Sequence, residues 1–408
     1  MLPAGCVRTR SLSSRAVFSR RTDWELSPNA LARALANRRA SGRGVVDLTI
    51  TNPTDVGLRH SSSFFAGLVD SATAHYQPEP LGLSRARGEV AEYYRVRGCA
   101  CDPASVWLCA STSEAFSYLF ALLCDPGDAV LVPRPGYPLL DYLAGLSGVR
   151  LVPYPLRYDG RWHVDLGAFD ALLRAEARAR AVVATSPGNP TGAPLSQSDL
   201  AALERACAER GLALVVDEVF ADFPLDPERR ATESALGERA CLAFVLSGLS
   251  KAALLPQLKL GWGAACGPRA LVDAALARLA LVADSFLSAS TPAQLALGRA
   301  LEAAAPLRES ARARVRANLA RLRAELAGGA SSALEVEAGW AAIVRLPALP
   351  ERDDEGWALA LLEDEGVLVH PGALYDVDGC TAVVSLLVEP EALAAGARAL
   401  ARAVAKRV

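Results

Sequence analysis

Of the 43 lysines and arginines in this 408-residue chain only three are lysine, and two of them, Lys251 and Lys259, lie in LSGLSKAALLPQLKLGWG (246–263). A chain that writes arginine almost wherever it needs a cation has kept an amine at position 251. A guanidinium stays protonated and is a poor nucleophile, whereas a desolvated lysine amine loses its proton and condenses with a carbonyl. The apolar run CLAFVL ahead of it, the Ser-Gly-Leu-Ser turn that carries it, and Pro256, Gly261 and Gly263 behind it read as a buried turn rather than a solvated surface.

Other segments carry residue types suited to chemistry beside such an amine. In SVWLCASTSEAFSYLF (105–120) an apolar run meets Ser111, Thr112, Ser113 and Glu114. Ser111 with Glu114 three positions on is a capping box, and a strand feeding a capped helix start offers free backbone N–H groups at the positive end of the helix dipole. That is a phosphate site in the making. ALVVDEVF (213–220) ends a strand in Asp217, with Glu218 alternating to the opposite face. RAVVATSPGNPTG (180–192) is a strand and a loop holding Asn189; AVLVPRPGYPLLDYL (129–143) is a strand and a turn holding Tyr137. HYQPEPLG (75–82) carries Tyr76, and TNPTDVG (51–57) carries Asn52, which also suits an Asx turn.

Taken in order, these segments resemble the fold-type I pyridoxal-phosphate enzymes, class I/II aminotransferase branch (the aspartate aminotransferase superfamily). The resemblance implies that Lys251, following Ser250, carries pyridoxal 5′-phosphate as a Schiff base. Lys259 falls where the family usually has an arginine on the cofactor phosphate, with Ser111, Thr112 and Ser113 completing that site; the family most often has Gly at 111. Tyr137 matches the ring that stacks on the pyridine, and a flat aromatic suits that role. Asn189 matches the residue bonding the cofactor's ring oxygen. Asp217 matches the aspartate that keeps the pyridine nitrogen protonated, which makes the ring a better electron sink. Phe220 stands where a tyrosine is usual, and Ser186 where the loop usually has Asn. Tyr76 matches a tyrosine that reaches the neighbouring subunit's phosphate, which implies a two-fold homodimer. On the substrate side the resemblance nominates Asn52, Trp340 and His370. The family's Arg-x-Ser, which holds the substrate carboxylate, aligns its serine with Ser385 and its arginine with Val383; no Arg or Lys lies between Gly379 and Glu389.

Three functions follow: an aminotransferase passing an amino group from a small-molecule donor to a carbonyl acceptor; a lyase, cyclase or decarboxylase using the same cofactor; and a cofactor-binding regulator without catalysis. The regulator is disfavoured, because no helix-turn-helix module precedes Asp23 and the charge is mildly acidic.

The elements that must position these residues read as an α/β layer fold, a large domain on a mainly parallel sheet with a smaller α+β C-terminal domain. Ser111, Asn189, Asp217 and Lys251 all follow strands, as binding groups of an open doubly wound sheet do. Residues 1–22, with five Arg, four Ser and no acid, read as a flexible tail. Residues 23–50 are expected to pack with the small domain, 51–290 to form the large domain and 291–408 the small one. Ser27-Pro28-Asn29 caps a helix to about Arg39, VVDLTI (45–50) is a strand, and a helix spans about 84–98. Further helices span 268–287 and 293–326, and the strands EAGWAAIVRLP (337–347), VLVHPG (367–372) and AVVSLLV (382–388) follow.

A net charge of −2 argues against a general nucleic-acid or acidic-membrane partner, and no apolar run approaches the ~20 residues that cross a bilayer. Nine cysteines without a Cys-x-x-Cys pair and four histidines make neither a zinc pattern nor a disulfide framework. Reduced thiols in the cytoplasm are the simplest reading.

Overall fold

The computed structural model describes residues 17–68, 70–229, 231–350 and 352–408. Residues 1–16 of the expected tail lie outside that set. Arg20–Thr22 form a single helical turn, and the Arg21 guanidinium donates to the Leu146 carbonyl at 3.0 Å.

Strand β1 is only Val46–Asp47. Most of the remaining strands build one eight-stranded sheet: β2 (Val106–Cys109), β3 (Ala129–Arg134), β4 (Arg150–Tyr158), β5 (Trp162–Val164), β6 (Ala179–Thr185), β7 (Ala213–Asp217), β8 (Ala243–Gly248) and β9 (Gly261–Cys266). Their order is β2-β9-β8-β7-β6-β3-β4-β5. The centre, β8-β7-β6-β3-β4, is parallel, whereas β9 runs against both β8 and β2. Strands β3, β6, β7 and β8 are short Val/Ala/Leu runs buried along nearly their whole length, as strands covered on both faces must be. Helices cover both faces, and the two apolar clusters they form are separated by the sheet.

The topology places the chemistry at one edge. Parallel β3, β6, β7 and β8 end at Arg134, Thr185, Asp217 and Gly248. Because β9 is antiparallel, its start at Gly261 pairs with Gly248, so Lys259 arrives at the same edge from the opposite direction.

A second sheet is built from β10 (Ser332–Ala333), β11 (Ala341–Arg345), β13 (His370–Pro371) and β14 (Thr381–Ser385), in the order β10-β11-β14-β13 and antiparallel throughout. The remaining strand, β12 (Val367–Leu368), pairs with β1. The helix Ala30–Ala40, capped by the Asn29 side chain, packs beside the same region, with Arg38 donating to the Glu363 carbonyl at 3.0 Å. VVDLTI therefore contributes only two residues to a ladder; the rest runs on to the edge of the cleft, with the Leu48 carbonyl accepting from Ser385.

The expected 293–326 helix is three: Thr291–Leu295, Leu297–Ala303 and Ala305–Leu326. Ala293, Leu297, Ala300 and Leu301 lie in a core cluster with the large sheet, and Val315, Leu319 and Leu322 in a separate one with Trp340 and Trp357.

Candidate active site

A cleft of about 800 Å³ opens between the carboxyl edge of the large sheet and the second sheet. It is lined by every residue the sequence nominated except one: Asn52, Ser111, Thr112, Ser113, Tyr137, Asn189, Asp217, Phe220, Ser250, Lys251, Lys259, Trp340, His370 and Val383. The exception is Tyr76, 71% exposed and outside its own chain's cleft.

Lys251 sits in the four-residue helix Leu249–Ala252 directly after β8. Its Nζ is 5.6 Å from the Phe220 ring centre and 5.3 Å from that of Trp340, two rings packed edge to face at 5.0 Å. Burial disfavours the ammonium and pushes the Lys251 pKa down to about 8; the Asp217 carboxylate opposes that shift and the Lys259 charge adds to it. Burial likewise pushes Asp217 up to about 6, against the Val219 amide that donates to Oδ1 at 3.0 Å and against Lys251. An amine with a lowered pKa thus shares the cleft with a carboxyl whose pKa is raised, a combination typical of sites that move protons.

Glu218 points away, as the alternation required. It accepts from Ser234 Oγ and the Ala235 amide, and burial raises it to about 7.

At the other end of the cleft, Ser111 caps the helix Thr112–Leu123, its Oγ accepting from the Glu114 amide at 3.2 Å. The box is displaced by one residue: Glu114 Oε2 accepts from the amide of Ala110, not of Ser111. The first amides of the helix have no intrahelical acceptor and face an approaching anion. Ser111 is in extended backbone (φ −169°), so serine stands here without penalty. Three backbones converge on this start. A Cβ on Gly261 would lie 3.0–3.2 Å from Ser111 and Thr112, and one on Gly248 3.0 Å from Gly261 Cα. Lys259 completes the corner in left-handed backbone, φ 51°. This cradle, a half-buried amine and a half-buried carboxylate would suit pyridoxal phosphate, with Ser111, Thr112, Ser113 and Lys259 available to its phosphate, Lys251 to its aldehyde and Asp217 to its ring nitrogen.

The Asn189 loop is closed by its own bonds. Ser186 Oγ accepts from the Leu195 amide at 3.0 Å, its own amide donates to the Asp217 carbonyl at 2.9 Å, and the Gly192 carbonyl accepts from the amides of Glu337 and Ala338. That last pair ties the loop to the segment bearing Trp340. Asn52 makes the Asx turn, its Oδ1 accepting from Thr54 N and Oγ1, and also lines the cleft, so the two roles coexist. Val383 lies on β14 between Ile343 and His370 by register, buried beside Tyr375 and Val377.

Among the lining residues that the sequence did not nominate, one is an arginine. Arg134, at the end of β3, binds both Asp141 oxygens through Nη2 at 2.8 Å and Asp376 through Nε at 2.7 Å. Within forty arginines it carried no compositional signal; its place one residue past an apolar strand run, in a Pro-rich turn before Tyr137, was the available clue. Among the described residues no cluster of His, Cys, Asp and Glu is arranged to hold a metal ion, and no helix is long and apolar enough to cross a membrane.

A mainly parallel sheet that gathers a half-buried lysine, an aspartate and a capped helix start at one edge defines the fold-type I aminotransferase architecture. The chain belongs to the Aminotransferase class I and II family, whose profile matches residues 21–389. It is 28% identical over 262 residues to the glutamate-pyruvate aminotransferase AlaA of Haemophilus influenzae, a match covering 64% of each chain. It is 31% identical over 249 residues, 61% of each chain, to the arginine–pyruvate transaminase AruH of Pseudomonas aeruginosa. These matches span under two thirds of either relative's length. A solved structure of a Thermus thermophilus aspartate aminotransferase mutant superposes with a TM-score of 0.80 at 25% identity, covering 95% of this chain and all of the other.

Proposed function

We propose that this chain is a pyridoxal-phosphate-dependent aminotransferase, exchanging an amino group between a small-molecule amino donor and a 2-oxo acid or other carbonyl acceptor. The observation that carries the reading is Lys251, half-buried beside two aromatic rings with its pKa lowered to about 8, sharing a cleft with Asp217. The cofactor, when bound, supplies an aldehyde that condenses with amino groups and a ring that accepts the electron pair released at the substrate carbon. Lys251 holds it covalently and, once displaced by the incoming amine, carries the proton at the substrate Cα. Asp217 holds the ring nitrogen's proton, Asn189 donates to the ring oxygen, and Tyr137 covers the ring. Phe220 and Trp340 exclude water from Nζ. The names of the relatives, glutamate-pyruvate and arginine–pyruvate transaminases, support amino acids as the donor class.

The proposal extends to assembly and setting. Tyr76, exposed on its own chain, completes the phosphate site of a second copy in a homodimer. Residues 51–290 act as the cofactor-binding unit and 291–408 as the smaller unit, with 23–50 packed on the latter. The eight described cysteines are all free, which supports a reducing, cytoplasmic setting.

The test is direct. Purified protein is expected to be yellow, to release 2-oxo acid when given an amino acid, and to carry borohydride-fixed cofactor on Lys251. Lys251→Ala is expected to lose the chromophore and at least 10³-fold in activity, as expected when a covalent nucleophile is removed. Label on another lysine, or a product lacking carbon dioxide or a leaving group, refutes the reading.

A further inference from the structure

The cleft poses a charge problem on the substrate side. If it takes amino and oxo acids, as the proposed function holds, a carboxylate must enter it, and a buried carboxylate needs a cation. Among the described lining residues the cationic candidates are Lys251, Lys259, Arg134 and His370. The two lysines belong to the cofactor end. His370 is held by Tyr375, Nδ1 to hydroxyl at 3.0 Å, and burial disfavours its cationic form. Val383 is apolar and packs in a cluster with Ile343, Tyr375 and Val377. Arg134 remains.

The seat of Arg134 is built. Gly136 makes room for the guanidinium, since a Cβ there would lie 3.2 Å from Nη1 and 2.6 Å from the Pro133 carbonyl. Asp141, on the helix that follows Tyr137, binds Nη2 through both oxygens. Asp376 approaches from the other side of the cleft and pairs with Nε. Two carboxylates on one guanidinium leave a net negative charge. Their holds differ: Asp141 is anchored in the same unit, whereas the Asp376 side chain is 64% exposed and sits on a left-handed residue, φ 56°. Beside it the Gly136 amide donates to the Tyr375 carbonyl at 3.0 Å, so the pair spans the mouth of the cleft.

We propose that Arg134 is the receptor for the substrate carboxylate, and that Asp376 occupies its Nε edge as a placeholder which the substrate displaces. Asp141 keeps the guanidinium aimed while Asp376 swings into water. One carboxylate replaces another, so the guanidinium is never left unpaired and the exchange requires no new buried charge. The inference rests on the proposed function for its substrate class.

The two positions make opposite predictions, which a merely structural ion pair does not. Holoenzyme is titrated with propanoate and, separately, with propanamide, following heat and the cofactor absorbance. Wild type is expected to favour the carboxylate. Arg134→Gln is expected to lose that preference, at least tenfold in Kd, as for a lost charge-assisted contact, with propanamide unaffected. Asp376→Asn, which keeps a residue suited to left-handed backbone, is expected to tighten propanoate several-fold. An unchanged carboxylate preference in Arg134→Gln, or weaker or unaltered propanoate binding in Asp376→Asn, overturns the proposal. Should Arg134→Gln fail to fold, the Asp376→Asn arm decides. Holoenzyme that reacts with no amino donor at all counts against the proposed function, and the binding titration still reads on Arg134.

Discussion

At the scale of single residues, the argument turns on Lys251 and Asp217, each pushed by burial toward its neutral form and held back by the other's charge. Asp217→Asn removes the negative charge that favours the protonated lysine, so the Lys251 pKa is expected to fall below about 8 in the cofactor-free protein. The pH dependence of its reaction with an aldehyde reagent, followed by borohydride trapping, measures this; an unmoved or raised midpoint would show that the carboxylate does not face the amine. The signs for stability follow. A carboxyl with a raised folded pKa favours folding as pH falls through about 6, and a lysine with a lowered one favours it as pH rises through about 8. Stability of the cofactor-free chain should therefore sag between these values. Lys251 was legible because lysine is scarce here, and Asp217 because a charge closing an apolar strand run needs a reason. Arg134 was not, because its partners Asp141 and Asp376 come together only through the fold.

At the scale of elements, the phosphate cradle depends on how closely three backbones approach. The pairing of Gly248 with Gly261, and of Gly261 with Cys109 on its other side, brings β9 within van der Waals reach of the Ser111 turn. Gly261→Ala would set a methyl 3.0 Å from the Ser111 carbonyl carbon, against backbone that cannot rotate away. Overpacking of this kind costs about 1–3 kcal/mol, and here it should fall on the helix start, weakening cofactor affinity on the order of tenfold with a lower Tm. Equilibrium dialysis of cofactor against the variant checks it; wild-type affinity would mean the cradle does not rely on that approach. The strands ending at the site were readable because each is an apolar run stopped by polar or Gly/Pro residues. The breaks at Ala296 and Ala304 were not, since alanine is the best helix former and both residues keep right-handed helical backbone. The β4–β5 pair was equally hidden: β4 carries two prolines and alternates imperfectly, and its ladders to β3 and β5 hold it extended.

At the scale of the whole molecule, the described residues include exposed apolar side chains that the cleft does not use. Tyr76 lies in a loop tied to the next one by Ser288, whose Oγ donates to the Glu79 carbonyl at 3.1 Å, and by Gln294, which bonds both Leu83 and Ala289. That second loop begins with Leu287, 67% exposed, directly after Phe286, 55% exposed. Adjoining exposed aromatic and aliphatic groups on loops braced against movement are what a two-fold contact requires. Light scattering is expected to report a dimer, and Leu287→Asp, a charge on the patch at a residue that makes no core contact, to shift it toward monomer and weaken cofactor binding. A sharper experiment separates a shared site from two independent ones. Chains carrying Tyr76→Ala and chains carrying Lys251→Ala are each expected to bind cofactor poorly, the first by affinity and the second for want of the amine. In co-expressed hybrids, the Tyr76→Ala chain supplies Lys251 and its partner supplies an intact Tyr76, so one site of the two is whole. For random pairing about a quarter of all sites should then recover wild-type affinity, because an isologous contact makes each site draw on both chains. If the mixture binds only as the sum of its parents, Tyr76 serves its own chain or none, and the shared site is wrong even if the protein is a dimer.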